Sequence, residues 1–305
     1  MRVLKGFVAA IALLVVACGS SSMPANPTLL PGEGLLELPL LSTTTAGRSY
    51  KLVGATFVIT GPQSVTLTDT TVDSVSTPLM AGLYSIQMTG PWHVERTDAP
   101  GQTVPATLVS PNPMSFTLGE GETRPVRFLF KVEGDGTADV GFRVDHGGWI
   151  SGSITFDPLA PGESEIFAEL AGTTVPFVIS YESAVVDRSW GMVSVETSPI
   201  TAQFGGASEL LLKQLVPSMN GNSMHLQLYR TQPGGVMYLP FIELGAPGAP
   251  ARLQLELGVL SVINDADGYP VLQPYSMQGV ARVVARENSG DGYLQGVVNG
   301  QFSPQ

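Results

Sequence analysis

The residues of this chain whose types could do chemistry are three histidines, one loop of oxygen-bearing side chains, one tryptophan on a polar face and a single cysteine. In Trp92-His93-Val94-Glu95, strand alternation turns Trp92 and Val94 inward and leaves His93 outside beside Glu95. In Met224-His225-Leu226-Gln227-Leu228-Tyr229 the aliphatic face takes Met224, Leu226 and Leu228, so His225 also points outward. His146 falls at a junction between two strand-rich blocks. No two of these histidines have the close ligand spacing of a zinc motif. A Gly-x-Ser-x-Gly elbow and a Ser-x-x-Lys motif are both missing, so the sequence points to no catalytic serine. Paired carboxylates on a strand face could still cleave glycosidic bonds, since such a pair needs no fixed sequence spacing.

Asn264-Asp265-Ala266-Asp267-Gly268-Tyr269 is the metal candidate. Alternating oxygen donors before a glycine suit calcium, which takes several hard oxygen ligands, and the ligands would be Asn264, Asp265 and Asp267. The rest of a twelve-residue calcium loop is missing, and Asp-Gly between strands is equally a hairpin turn. In Trp149-Ile150-Ser151-Gly152-Ser153-Ile154-Thr155-Phe156, the aliphatic face takes Ile150, Ile154 and Phe156, which leaves Trp149 among Ser and Thr. A tryptophan there either stacks on a sugar ring as a ligand-binding platform or packs against the preceding block. Trp92 reads as core.

Cys18 ends a different kind of segment. Arg2 and Lys5 make a positive start, residues 7–16 are apolar, and small residues follow, which is the pattern of a secretory signal over 1–17. The apolar run is too short for a membrane span, which needs about 20 residues. Val15-Val16-Ala17-Cys18 resembles the bacterial lipobox. That resemblance implies that Cys18 becomes the first mature residue and carries fatty acyl groups, palmitate among them. It further implies a membrane lipoprotein, and Gly19 in place of Asp is similar to chains sorted to the outer membrane of a Gram-negative cell. Several acyl chains anchor firmly where one holds marginally. Residues 18–46 read as the lipidated N-terminus and a flexible tether, rich at first in Ser, Pro and Gly.

The chain has 15 basic and 26 acidic residues, a net charge of −11, and loses two of the basic ones with the signal. Such a surface repels phosphate backbones, which argues against nucleic acid as a partner. With one cysteine no intrachain disulfide can form, so burial must supply the stability. Only 13% of residues are charged, about half the usual share, and Thr, Ser, Gly and Pro take their place.

The positioning elements read as strands throughout. Val126-Arg127-Phe128-Leu129-Phe130-Lys131-Val132 alternates, with Arg127, Leu129 and Lys131 on the outer face. Arg252-Leu253-Gln254-Leu255-Glu256-Leu257 alternates more cleanly. One helix is expected, over 208–216, with Ser208 as its N-cap and Pro217 as its stop. Many short strands at this spacing predict an all-β chain of two β-sandwich domains, residues 47–145 and 146–305.

In the first domain, Gly54-Ala55-Thr56-Phe57-Val58-Ile59-Thr60-Gly61, Ala81-Gly82-Leu83-Tyr84-Ser85-Ile86-Gln87-Met88 and the strand from Gly121-Glu122-Thr123 to Phe130 resemble prealbumin-like modules. These are the carboxypeptidase-regulatory-like and collagen-adhesin B-type repeats of bacterial surface proteins. Some adhesin repeats carry a Lys–Asn crosslink, but here Lys131-Val132-Glu133 stands where the asparagine would be, so no crosslink is expected. The resemblance implies a fold and leaves the chemistry open.

These readings together predict a non-enzymatic cell-envelope lipoprotein with a structural or interaction role, its partner an envelope protein or a glycan. A glycan- or calcium-binding surface module is the alternative, and a carboxylate-dependent hydrolase the second.

Overall fold

In a computed structural model, the described residues are 27–43, 48–132, 136–140, 143–145, 147–162, 164–189, 192–206, 208–229, 241–258, 265–287 and 290–304. Strands dominate them, as expected for an all-β sandwich protein. Apolar side chains collect in two large clusters, one drawn from residues 36–132 and the other from 150–302, with a small third cluster between them.

The first cluster is enclosed by four small sheets. Met114–Leu118, Gly82–Thr89, Thr56–Thr60 and Val65–Leu67 form one, and Leu41–Thr43, Ser49–Val53, His93–Arg96 and Thr103–Val104 a second. A third runs Ala106–Leu108, Phe128–Val132, Gly136–Val140, Arg143–Asp145. In the fourth, Glu33–Pro39 lies between Thr123–Pro125, which it pairs in parallel, and Ser74–Met80, which it pairs antiparallel.

That last sheet corrects the expected tether. Residues 33–43 are two strands, and Leu36, Leu38 and Leu40 are each at most 2% exposed. Their period-two spacing is itself a strand pattern, and burying three leucines is worth several kcal/mol at about 1.5–3 each. The flanking Ser, Pro and Gly content masks it.

The second cluster lies under a seven-stranded antiparallel sheet. Its order is Thr201–Phe204, Thr174–Ser180, Trp149–Phe156, Gly290–Ser303, Tyr275–Glu287, Ala251–Leu257, Ile242–Leu244. A three-stranded sheet of Ala184–Ser189, Met192–Thr197 and His225–Tyr229 contributes Val193, Val195, Leu226 and Leu228 to the same core. Close approach of strands at the centre of the large sheet depends on glycine. Gly152 pairs with Gly300, and a Cβ on Gly300 would lie 2.2 Å from the Ser151 carbonyl oxygen.

The expected helix is present but does not stop at its proline. Residues Leu210–Leu215 are wound as a π-helix, with the Val216 amide donating to the Leu211 carbonyl, and Val216–Met219 continues as one α-turn. Pro217 sits in the first turn of that α-segment. Ser208 does cap the start, its Oγ accepting from the Leu211 amide at 3.4 Å.

Candidate functional site

Strand Met114–Leu118 has two unlike faces. Met114, Phe116 and Leu118 point into the first core, where Phe116 stacks on Tyr84 at 5.4 Å, while Ser115 and Thr117 take the opposite face. That face would meet solvent in an isolated sandwich. Here the strand Thr201–Phe204 and the helical segment 210–219 lie beside it, and together they border an open cleft of about 170 Å³. Leu212, Val216 and Ala202 line it from the second block, with Val126 from the first.

The two blocks are stitched by polar and apolar contacts around the cleft. Gln203 donates from Nε2 to the Arg127 carbonyl at 2.8 Å and accepts the Ser110 hydroxyl on Oε1 at 2.7 Å. Ser110 Oγ in turn accepts the Leu129 amide at 2.7 Å. Asn220 Oδ1 accepts the Ala202 amide at 2.7 Å, which fixes the carboxamide at the cleft edge.

Electrostatically the cleft is unlike the rest of the chain. Arg124 and Arg127 line it and, among the described residues, no Asp or Glu does, in a protein with 26 acidic residues. Arg124 donates from Nε to the Thr117 carbonyl (3.0 Å) and from Nη2 to the Thr117 hydroxyl (3.3 Å), and its Nε lies 3.1 Å from Glu122 Oε1. Ser115 is 6% exposed, and among the described residues its Oγ has no hydrogen-bond partner. A buried hydroxyl left unpaired costs about 1–3 kcal/mol, so such a group calls for a reason.

A larger basin of about 430 Å³ is lined by Leu41, Ser49, Lys51, Asp73, Glu95 and Arg96, among others. Its charges are already matched. Lys51 Nζ reaches Asp73 at 2.9 Å and the Thr71 carbonyl at 2.7 Å, and Arg96 forks onto Asp98. Glu95 accepts from the Gly101 amide and bonds His93, and these two contacts, the amide first, hold its carboxyl below the usual range.

Most of the residues singled out from sequence have a definite place. His93 and His225 do point outward: His93 meets Glu95 at 2.7 Å, while His225 meets Glu196 and Gln227, each at 2.9 Å. Trp92 packs its edge on Phe130 at 5.2 Å. His146, Asn264 and Cys18, with the signal, lie outside the described residues.

Asp265 braces a turn. Its Oδ1 accepts the amides of Asp267 (3.0 Å) and Tyr269 (2.8 Å), its Oδ2 meets Arg188 at 2.8 Å, and Gly268 takes φ +81°. Both carboxylate oxygens are thus engaged, one of them by a guanidinium. Among the described residues no three His, Cys, Asp or Glu are grouped as metal ligands.

Trp149 is 8% exposed and packs with Leu129 and Val178, while Lys131 Nζ sits 5.5 Å from its ring centroid. Of the two roles weighed for it, packing against the preceding block describes this placement, and its ring faces protein where a sugar platform would face solvent. Leu129, expected on an exposed face, is buried by the same contact.

Sequence alone does not single out Ser115, Arg124 or Gln203. The signal is weak: Ser115 and Thr117 alternate with core residues as on any half-solvated strand, and only the second block makes that face a site. No protein-family model matches the chain, and no curated protein matches its sequence.

Proposed function

We propose that this is a non-enzymatic lipoprotein of the bacterial cell envelope, anchored through acylated Cys18, whose role is to engage a partner through the cleft between its two cores. The lipobox resemblance supports the anchor. The observation that carries the interaction role is the join: the Trp149–Leu129–Val178 cluster and the Gln203 bridge span the two blocks beside one cleft. A cleft held by such contacts is preorganised, so a partner would bind without the cost of ordering it.

The test is made in cells. Replacing Cys18 with Ser should abolish acyl labelling and move the protein from the membrane to the soluble fraction. A photocrosslinker at Thr117 should capture an envelope component more strongly than one at the exposed Asp187 of the three-stranded sheet. Retained acylation would defeat the anchor, and equal capture from both positions would defeat the cleft.

A further inference from the structure

We infer that the cleft is a binding site for a small monocarboxylate with an apolar body, an aromatic or branched aliphatic acid. This ligand class rests on the interaction role proposed for the cleft and gives that role a chemistry.

Size sets the first limit. The cleft holds about 170 Å³, and a cavity of about 150 Å³ lined by apolar side chains accepts a benzene ring. One ring or one branched chain fits.

Lining chemistry sets the second. Leu212, Val216 and Val126 offer the apolar body a surface that releases water on contact. Charge then selects the head group: Arg124 and Arg127 line the cleft with no acidic residue among its described lining, whereas the chain as a whole is at −11. A guanidinium has five N–H donors in a planar fork that matches a carboxylate. Among the described residues, Thr117 and Glu122 engage two of the three nitrogens of Arg124.

The third observation is independent of charge. Ser115 lines the cleft, and its hydroxyl, buried behind that lining, has no partner among the described residues. A hydroxyl can donate to a carboxylate oxygen, and a charge-assisted bond of that kind is about twice as strong as a neutral one. The ligand's second oxygen is then available to the guanidinium.

Calorimetric titration of the full chain in detergent with phenylacetate, and with its neutral twin phenylacetamide, reads this directly. The acid should bind at least tenfold more tightly than the amide, and rising salt should weaken the acid alone. Arg124→Gln should weaken the acid by at least tenfold. Ser115→Ala should weaken it by at least fivefold while leaving the unfolding midpoint of the unliganded protein unchanged or raised, because it removes an unpaired buried hydroxyl. That second readout separates a ligand contact from a structural one.

Equal affinity for acid and amide, or no binding of phenylacetate at millimolar concentration, overturns the inference. Binding only of a peptide ending in a free phenylalanine carboxylate overturns it too, in favour of a chain terminus. Crosslinking from Thr117 with no acid binding would sink the small acid while the envelope reading stands.

Discussion

At the scale of single residues, polar groups among the described residues are mostly spoken for, which is why the exceptions are informative. Asp265, His225 and Glu95 look chemically available in the sequence, yet each is occupied by a turn, a neighbour or an amide. Sequence alternation predicts which way a side chain points and is silent about what it meets. Ser115 is invisible for the same reason, since its orphan state arises from a block some 90 residues away.

Tyr181 shows the same effect of environment on one group. It is 2% exposed, and burial pushes its phenol up to about 12. Below about pH 10 the phenol is neutral in folded and unfolded chains alike, and its burial contributes fully. Between about 10 and 12 the unfolded chain loses the proton first, so stability falls by an amount of order 2–3 kcal/mol. Denaturant unfolding at pH 8 and at pH 11.5 should show this loss, and Tyr181→Phe should remove most of it. An equal loss in the variant would assign the slope to other groups.

Elements are legible where one pattern dominates. Ala251–Leu257 is a strand with Leu253, Leu255 and Leu257 buried, as its alternation reads. Residues 33–43 read wrongly as tether because Pro39 and the neighbouring Gly and Ser content suggest coil, whereas Pro is tolerated at the edge or end of a strand. Pro217 reads wrongly as a stop because the preceding turn is a π-helix, whose hydrogen-bond register has no sequence signature.

Where two strands come close, a side chain is excluded for lack of space. Gly300→Val should destabilise by more than about 2 kcal/mol, since its Cβ cannot stand 2.2 Å from a carbonyl oxygen without separating the strands. Ser276→Val on the exposed face of the neighbouring strand should change stability by under about 0.5 kcal/mol. Thermal unfolding of the two variants gives the comparison, and a near-neutral Gly300→Val would mean that the sheet can open there without cost.

For the whole molecule, the join between the two cores is the feature that sequence places only as one of two alternatives. Trp149 sits three positions after His146, so contact with the first block is an open reading, but nothing in the pattern points to Leu129 and Val178 as its partners. Trp149→Ala should cost about 3–5 kcal/mol, and it should also split a single unfolding transition into two as the blocks uncouple. A destabilised but still single transition would show that Gln203 and the cleft contacts suffice to couple them.

The seven-stranded sheet has one further consequence, for the order in which the chain can be assembled. Trp149–Phe156 pairs on one side with Thr174–Ser180, close in sequence, and on the other with Gly290–Ser303, roughly 140 residues later. A polypeptide emerging N-terminus first therefore holds the middle of its second core open until nearly all of it has arrived. Tyr275–Glu287 and Gly290–Ser303 can zip locally within microseconds, but their docking is a single long-range event that closes the sheet. A chain threaded across a membrane would stay pliable through that interval, and would lock only once its last long strand had crossed.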